Sequence, residues 1–461
     1  MFNRAWRSVV LVAGEAILLI ASVVISSVIV AGPYAWDLLT DNTAIFRVML
    51  IVMVCQVSLH YLDLYDLRTI TSTSDLAVRL VRAIAAASLF LGIAYWLFPL
   101  LIVERGVFLL FAGLALMLVI VWRSAFGWMS QLAPRERLLL VGTSPAAVTL
   151  ARELFERRQE LGVDIVGFVD PDPARVGAPV INPGVIGTID DIPRLTASMR
   201  VDRVVVSLSD ERGKLPMNQL LDVRLRTGVA FDHLASVYEE YTGKIALENL
   251  RPSWLIFSAG FHKTRLLLAA KRAFDIIAAV CGLVLALPLL AVAALVVKLS
   301  SPRDPILYHQ ERVGLNGEVF TIHKFRTMRL DAEAGTGPVW STANDTRVTA
   351  VGQFMRRTRV DEIPQLWNVL CGEMSLIGPR PERPAFVEQL TRQIPFYGQR
   401  HVVKPGLTGW AQVRYSYGAS VEDAIEKMQY DLFYVKNLSM RFDIAIALET
   451  VKTVLLRRGS R

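Results

Sequence analysis

The stretch that decides the fold is Phe274–Val297, FDIIAAVCGLVLALPLLAVAALVV, an apolar run with Pro288 in its middle. A straight helix of this length could cross a bilayer, because a span needs about 20 mostly apolar residues. Proline in a helix interior removes a hydrogen bond and bends the helix. Cations flank both ends of the run: Lys271, Arg272, Lys298 and Arg303. Cationic flanks tend to stay in the cytoplasm, so this pattern favours a segment that enters and leaves on one side over a fifth ordinary crossing.

Four further stretches, all closer to the N-terminus, are predicted membrane spans: Val9–Val30, Ile45–Leu62, Ala83–Val103 and Val107–Trp122. The second and fourth are short for a span. Basic residues collect before the first span, between the second and third, and after the fourth: Arg4, Arg7, Arg68, Arg79, Arg82, Arg123, Arg135 and Arg137. Short cytoplasmic loops carry the excess of Lys and Arg, so both ends of this bundle are predicted to face the cytoplasm.

The composition agrees with a chain that is part membrane and part globular. Hydrophobic residues make up 53% of its 461 residues and charged residues only 20%, against about 25% charged in ordinary soluble domains. A disordered chain and a purely soluble one are both excluded. Much of the net charge of +8 is explained by membrane topology, so no nucleic-acid partner is predicted. The three cysteines and six histidines show neither a disulfide framework nor Cys/His metal-ligand spacing.

The middle of the chain alternates short strands and helices. Arg137–Val141, Ile165–Val169 and Arg203–Ser207 read as parallel strands, and a helix is predicted from the turn after the first of them to about Glu160. This is a doubly wound α/β pattern.

The glycine pattern of a dinucleotide site is incomplete in this segment. Only Gly142 stands where that pattern has three glycines, and Ser144 and Ala147 occupy the other two places. Asp170 ends the second strand, where a ribose-binding acid could lie. A Rossmann-like domain that binds no dinucleotide is the favoured interpretation.

The densest polar motif is RRTRVDEIPQLWNVLCG, residues 356–372. Pro364 fits only the first turn of a helix and Gly372 fits its end, so Asp361 and Glu362 are predicted at a helix N-terminus, where the dipole favours negative charge. Asp361 could simply be an N-cap, with Glu362 a first-turn acid. Three nearby arginines favour the other interpretation, a nucleophile or magnesium ligand beside a phosphate cradle. Both stay open at this point.

Further cations lie in short motifs around this block. Asn316-Gly317 predicts a hairpin, after which Lys324 and Arg326 share a face if the strand continues. Two cations on one face suit a phosphate-rich ligand, although a solvated strand face is the simpler interpretation. Arg380 stands between two prolines, and Arg400 and Lys404 precede a glycine-rich turn. The largely apolar segment Phe442–Leu455 suits a helix in the membrane interface, with core packing as the alternative.

Several long motifs, in order, closely resemble the bacterial sugar transferase family, the polyprenyl-phosphate hexose-1-phosphate transferases or monotopic phosphoglycosyl transferases. They are KFRTM (324–328), DEIPQLWNVL (361–370), GEMSLIGPRPE (372–382) and KPGLTGWAQ (404–412). The resemblance runs from about Lys271 to the C-terminus. The whole layout also looks like the family's large form in exopolysaccharide synthesis.

The resemblance implies a fold class: a membrane protein with α and α/β parts. It would comprise a four-helix transmembrane bundle over 1–130, a Rossmann-like, CoA-binding-like domain over 135–255, and a re-entrant helix with a small α/β catalytic domain over 271–461. The soluble parts would face the cytoplasm at the bacterial inner membrane. Family members often have Ser before the proline of the re-entrant helix, whereas Leu287 precedes Pro288 here.

The resemblance also implies a reaction. A UDP-sugar would give its sugar-1-phosphate to undecaprenyl phosphate and release UMP. Asp361 carries over as the nucleophile that forms a sugar-phosphoryl-aspartate, and Glu362 as the partner acid that helps to hold Mg²⁺. Cations are candidates for the substrate phosphates: Lys324, Arg326, Arg356, Arg380, Arg400 and Lys404.

Two other classes of function stay open from the sequence. One is a membrane-bound nucleotide-sugar oxidoreductase that uses the Rossmann-like module, and the other is a non-enzymatic scaffold or sensor in polysaccharide export. The motifs do not distinguish one donor sugar from another, and a homodimer is left open.

Overall fold

A computed structural model describes every residue except 1, 42, 63, 66–72, 133–134, 182, 208–215, 248–249, 251–257, 259, 262, 331, 333–344, 416–417, 419 and 456–461. Arg68, part of the predicted topology signal, lies outside the described residues. The chain forms two compact units, Met1–Leu234 and Ala235–Arg461.

The first unit begins with a helical bundle: α1 Phe2–Ala31, α2 Ala35–Thr40, α3 Ala44–Tyr61, α4 Thr73–Leu97 and α5 Arg105–Leu132. Leu19, Ile51, Leu91 and Ala115 are among the side chains packed inside it. Four segments here are long and apolar enough to cross a membrane: Val9–Asp37, Ala44–Tyr61, Asp75–Leu97 and Gly106–Met129. The predicted spans are therefore confirmed as helices of spanning length.

Both boundaries of the third predicted span and the end of the fourth are wrong. The third helix already begins at Thr73, ten residues before the predicted Ala83. The third helix ends at Leu97, six residues before the predicted Val103, because Pro99 starts a 3₁₀ turn. The fourth helix continues to Leu132, so Arg123 lies inside it. Arg123 is buried in the bundle, and its Nε atom is 2.7 Å from Glu15 Oε1. A buried ion pair between α1 and α5 explains how a charge is accommodated within this apolar helix.

The bundle is followed by an α/β domain with five strands: β1 Glu136–Val141, β2 Val163–Asp170, β3 Val185–Thr188, β4 Arg203–Val206 and β5 Ala230–His233. All strand pairs are parallel and the order is β3-β2-β1-β4-β5, which confirms the doubly wound prediction. In the part of this domain that the structure describes, four helices lie between the strands: α6 Pro145–Glu156, α7 Arg158–Leu161, α8 Ile192–Ser198 and α9 Met217–Thr227.

In the turn after β1, Ser144 and Ala147 stand where the dinucleotide-binding pattern has glycines, and side-chain hydrogen bonds stabilise the turn. Ser144 caps α6, since its Oγ atom accepts a hydrogen bond from the Ala147 N–H at 3.2 Å. Asp170 is buried and accepts a hydrogen bond from Thr143 Oγ1 at 2.7 Å. The helix predicted to run to Glu160 breaks at Arg157, where α6 ends and the short α7 starts.

The helix α10 Leu234–Thr242 leads into the second unit and packs there, because Lys436 and Asn437 donate hydrogen bonds to Glu239. The apolar stretch of the sequence analysis is one helix, α11 Arg265–Ser300, with Pro288 inside it. Near its start, Lys271 is paired with Asp443 at 2.7 Å. Near its end, Val297 packs in a cluster with Phe325 and Met355.

The rest of the second unit is small and mixed. Strands β6 Leu307–Val313 and β7 Val319–Phe325 form the predicted antiparallel hairpin around Asn316-Gly317. The short strands β8 Ser375–Ile377 and β9 Gly406–Thr408 pair in parallel. Its described residues form six further helices: α12 Ala350–Thr358, α13 Gln365–Cys371, α14 Pro384–Gln393, α15 Trp410–Arg414, α16 Val421–Lys436 and α17 Met440–Leu455.

Candidate active site

The Asp361-Glu362 pair lies in a tight turn between two helices. Helix α12 ends at Arg359 in the left-handed conformation, with φ of 60°, and a 3₁₀ turn over Val360–Glu362 follows. Pro364 then precedes α13, and Gly372 ends it with φ of 90°. The predicted short helix is thus confirmed, and the two acids stand just before its first turn.

Asp361 is buried, and its Oδ1 atom accepts no hydrogen bond. No side chain caps the start of α13, so the interpretation of Asp361 as an N-cap is wrong. Burial raises the pKa of Asp361, and the negative charge of Glu362 raises it further, against the opposing effect of Lys324 and other nearby cations. An unpartnered carboxylate oxygen with raised basicity is what an attacking or metal-binding group requires.

Glu362 is the centre of an ionic cluster. Its Oε1 atom accepts from Arg380 Nη2 at 2.9 Å and lies 3.4 Å from Lys324 Nζ, and Oε2 lies 3.6 Å from Arg359 Nη1. Burial alone would raise the pKa of Glu362, but these three cations outweigh burial and lower it. Glu362 is therefore ionised, and it fixes the positions of three cations that line the neighbouring cavity. Burial lowers the pKa of Lys324 to about 8.

These groups face a cavity of about 1130 Å³ inside the second unit. Seven of the eight residues predicted for the site line it: Lys324, Arg326, Arg356, Asp361, Glu362, Arg380 and Arg400. They come from β7 and the residue just beyond it, α12, the acid-bearing turn, a later loop and a 3₁₀ turn over Tyr397–Val402. Tertiary folding thus brings together cations that the sequence separates. A phosphate-rich ligand is the natural occupant of such a cavity.

Arg326 and Arg356 stand at the cavity wall and are hydrogen-bonded to protein groups. Arg326 lies just beyond β7, which ends at Phe325, and its Nε atom donates to the Pro305 carbonyl at 3.0 Å. Arg356 Nε donates to Thr327 Oγ1 at 2.9 Å. Both guanidinium groups line the cavity, so their positive charge can face a ligand there.

Arg400 is buried and contacts protein groups on several sides. It forms an ion pair with Asp431 at 2.7 Å and donates to Tyr397 Oη at 2.6 Å and to the Arg380 carbonyl at 2.9 Å. The last of these contacts links Arg400 to the Gly-Pro-Arg-Pro loop that carries Arg380. Arg400 also lines the cavity, and its role as a ligand of the substrate phosphates stays a prediction.

Lys404 does not line the cavity. It lies beside Gly372 and Arg272, at the end of α13 away from the acids. Burial and the nearby Arg272 charge lower its pKa. Arg272 donates to the Val369 and Leu370 carbonyls, which anchors the end of α13 to α11.

Sequence reasoning missed two groups that build the site. Asp431 lies in the middle of α16 without any motif around it, so nothing in the sequence marks it. Asn368 was quoted within the long motif, but its role was not inferred. Its Oδ1 atom accepts from His323 N at 3.2 Å and its Nδ2 atom donates to the Thr321 carbonyl at 2.7 Å, which locks β7 against α13. A buried asparagine of this kind keeps Lys324 close to Glu362.

The carboxylates fit a magnesium ion only in part. The described residues contain no cluster of three or more His, Cys, Asp or Glu that could hold a metal alone. Mg²⁺ in phosphoryl-transfer sites is commonly held by one or two carboxylates together with substrate phosphates. Asp361 Oδ1 suits that arrangement because it is unpartnered within the cavity wall. Glu362 would have to exchange one of its ion pairs to act as a second ligand.

Comparison with known proteins agrees with the phosphate-binding chemistry that the cavity suggests. Residues 266–457 match a family described as bacterial sugar transferase, and residues 60–219 match a CoA-binding domain. A UDP-N-acetylgalactosamine-undecaprenyl-phosphate N-acetylgalactosaminephosphotransferase of Aeromonas hydrophila is 38% identical over 271 residues, 59% of this chain and 63% of that protein. A UDP-glucose:undecaprenyl-phosphate glucose-1-phosphate transferase of Escherichia coli (strain K12) is 35% identical over 342 residues, 71% of this chain and 70% of that protein.

A shorter relative aligns over nearly its whole length. An exopolysaccharide production protein of Rhizobium leguminosarum bv. phaseoli is 40% identical over 198 residues, which is 97% of that protein and 41% of this chain. The chain spans slightly less than two thirds of the Aeromonas protein. Together with the site, these matches define the class of protein, a membrane-associated transferase enzyme, rather than the scaffold or the oxidoreductase that the sequence left open. The chain belongs to the bacterial sugar transferase family.

Proposed function

We propose that this enzyme transfers a sugar-1-phosphate from a UDP-sugar to undecaprenyl phosphate, releases UMP, and so begins an exopolysaccharide or related glycan. The names of the Aeromonas and Escherichia relatives support the two substrates, and the Rhizobium relative supports the exopolysaccharide role. The observation that carries the proposal is the buried, unpartnered Asp361 Oδ1 atom in a cation-lined cavity.

The reaction takes two displacements at one phosphorus atom. The Asp361 carboxylate attacks the β-phosphorus of the UDP-sugar, and the bond from that phosphorus to the bridging oxygen breaks, so UMP leaves with the electron pair. A phosphate oxygen of undecaprenyl phosphate then attacks the same phosphorus. The aspartyl–phosphorus bond breaks, which yields undecaprenyl diphosphate-sugar and restores the carboxylate. Covalent catalysis of this kind splits one difficult transfer into two easier steps.

The surrounding residues prepare Asp361 and its substrates. Glu362 stays ionised and holds Arg380 and Lys324 in place, so their positive charge is preorganised where negative charge develops. Arg326 and Arg356 add positive charge at the cavity wall, where it would face the phosphates. Mg²⁺ bound at Asp361 would add charge neutralisation for the diphosphate.

The attachment of α11 supports a re-entrant helix. Lys271 near its start and Val297 near its end both contact the same globular unit. A polar domain does not enter the hydrocarbon layer, because its exposed backbone groups would lose their hydrogen bonds. A helix held by one such domain at both ends is therefore expected to enter and leave on one side. That side is the cytoplasmic face of the inner membrane, where nucleotide sugars meet the lipid phosphate.

The test separates the two displacements. Detergent-purified enzyme is mixed with Mg²⁺ and a panel of UDP-sugars that includes UDP-glucose and UDP-N-acetylgalactosamine. No lipid is added, and intact-protein mass and UMP are measured together. We expect a mass gain of one sugar phosphate with UMP release, lost in Asp361→Asn. The matched control is Asp222→Asn, an exposed acid in the first unit that pairs with Arg226. Absence of adduct and UMP from every UDP-sugar, even after undecaprenyl phosphate is added, would refute the proposal.

A further inference from the structure

Strand β6 presents three polar side chains to the candidate active-site cavity: Tyr308, Gln310 and Arg312. Successive side chains of a strand alternate between its two faces, so residues two apart share one face. In the register of the hairpin, Tyr308 lies directly opposite Lys324. The face that carries Lys324 into the cavity therefore carries this polar row as well, and the proposed reaction does not yet use it.

Hydrogen bonds fix the orientation of the Gln310 amide. Arg312 donates to Gln310 Oε1 from Nε at 3.1 Å and from Nη2 at 2.6 Å. A guanidinium can only donate, so the amide turns its oxygen toward Arg312 and its NH₂ group away. Gln310 Nε2 then donates to Tyr308 Oη at 3.1 Å. The row is thus a chain of hydrogen bonds with a fixed direction.

The far end of this chain is anchored in the loop that carries Arg380. Arg312 Nη1 donates to the Pro381 carbonyl at 2.9 Å and lies 3.6 Å from Glu382 Oε2. The backbone supports the same contact, because Val313 N donates to the Glu382 carbonyl at 2.9 Å. Arg312 therefore has little freedom to release the Gln310 amide.

The Tyr308 hydroxyl keeps a hydrogen for the cavity. Its oxygen accepts from Gln310, so its own hydrogen has to point to another acceptor. Among the residues that the structure describes, none accepts this hydrogen. Tyr308 is half-buried and lines the cavity, so a bound ligand can supply the acceptor.

Tyr308 stands beside two cations at the same wall. It lies opposite Lys324, and Arg326 Cζ is 5.9 Å from the centre of its ring. Cα atoms two residues apart in an extended strand, such as those of Lys324 and Arg326, are about 7 Å from each other. A diphosphate can contact groups along such a row, whereas a single phosphate reaches only part of it. Of the two proposed substrates, the UDP-sugar is the one that carries a diphosphate.

We propose that the Tyr308 hydroxyl donates a hydrogen bond to a non-bridging oxygen of the UDP-sugar diphosphate, and that Gln310 and Arg312 are positioning residues that keep this hydroxyl turned to the cavity. The assignment rests on the proposed function and adds to it a neutral donor for the nucleotide substrate. No proton is transferred in this contact, because UMP leaves as a phosphate anion.

The first experiment measures binding without turnover. Full-length Asp361→Asn protein in detergent is titrated with UDP and Mg²⁺, and separately with geranyl phosphate, in a calorimeter. The titrations are repeated after Tyr308→Phe is added, which removes only the hydroxyl. Tyr430→Phe is the matched control, because this tyrosine of α16 lies in the same unit and does not line the cavity.

We expect Tyr308→Phe to raise the Kd for UDP by about tenfold to a hundredfold, because a hydrogen bond to a charged group is lost. Tyr430→Phe should change that Kd by less than about twofold, and the Kd for geranyl phosphate should stay within about twofold in both variants. An unchanged Kd for UDP in Tyr308→Phe, or an equal rise in Tyr430→Phe, would overturn the assignment. A rise confined to geranyl phosphate would also overturn it and would assign the hydroxyl to the lipid phosphate.

The second experiment reverses the hydrogen bond inside the row. A carboxylate can only accept, so Gln310→Glu should still accept from Arg312 but should turn the Tyr308 hydrogen away from the cavity. We expect a lower kcat/KM for UMP release without a lower Tm. The new charge also repels phosphate by itself, so the substitution is repeated in Tyr308→Phe, where the loss should be smaller by about fivefold or more.

Equal losses from Gln310→Glu with and without the Tyr308 hydroxyl would overturn the positioning roles. A Tm lowered in parallel with the loss would show that the row acts only through stability, which would overturn them as well. Tyr308-dependent binding of UDP, without UMP release from any UDP-sugar by the wild type, would instead refute the proposed function and leave the diphosphate contact standing.

Discussion

The buried Arg400–Asp431 pair offers the sharpest test of how the site is held together. The two side chains are only 6% and 2% exposed, and their charged atoms are 2.7 Å apart. Asp431→Asn keeps the shape of the side chain but removes its charge. Arg400 then remains buried without the charge of Asp431 beside it. Its guanidinium still donates hydrogen bonds to Tyr397 Oη and to the Arg380 carbonyl.

The expected cost follows from this burial. Removing one partner of a buried ion pair destabilises a protein by about 3–5 kcal/mol, because the other charge stays in a medium of low polarity. For a unit of about 150–250 residues, 1 kcal/mol shifts Tm by about 2–4 °C. Asp431→Asn should therefore lower the Tm of the second unit by about 6–20 °C. The Arg380 loop should also become less well positioned, which raises KM for the UDP-sugar.

The assay is thermal unfolding of the detergent-purified chain, followed by tryptophan fluorescence, with donor kinetics measured well below the Tm. Glu388→Gln is the matched control, because it breaks an exposed pair with Arg392 in which both side chains are more than two-thirds exposed. Such pairs contribute about 0.3–0.5 kcal/mol, so a shift below about 2 °C is expected. Equal Tm shifts in Asp431→Asn and Glu388→Gln would refute the reasoning.

Three further outcomes follow from the site. The pKa of Lys324 is about 8, so its positive charge is lost as the pH rises and kcat/KM should fall above about pH 8. Lys324→Arg should shift this fall to higher pH. A pH profile of kcat/KM that is unchanged in Lys324→Arg would contradict a role for the Lys324 charge. Removal of divalent cations with EDTA should abolish UMP release and added Mg²⁺ should restore it, whereas full activity in EDTA would argue against a metal at Asp361. Gly372→Ala should destabilise the protein by about 1 kcal/mol or more, because φ is 90° at this position and the new Cβ would lie 3.2 Å from Arg272 Nη2. A Tm equal to that of the wild type would show that the turn tolerates a side chain.

Local patterns in the sequence predicted much of the fold. Five apolar stretches correspond to the helices of membrane-spanning length, and the strands before Gly142 and around Ile165 lie where the alternation placed them. The helix between Pro364 and Gly372 also formed as predicted. These features depend on residues close together in the chain, where hydrophobic period, proline and glycine act directly on the backbone.

The tertiary structure decided which charged residues act together. Lys324, Arg380 and Glu362 meet because the hairpin, the acid-bearing turn and the proline-bracketed loop pack against each other. Lys404, equally basic in sequence, lies at the end of α13 away from the acids and does not line the cavity. Arg400 pairs with Asp431, which no motif marks. A charge is identical in sequence whether it is buried, paired or free, and only packing between distant segments determines which of these states it takes.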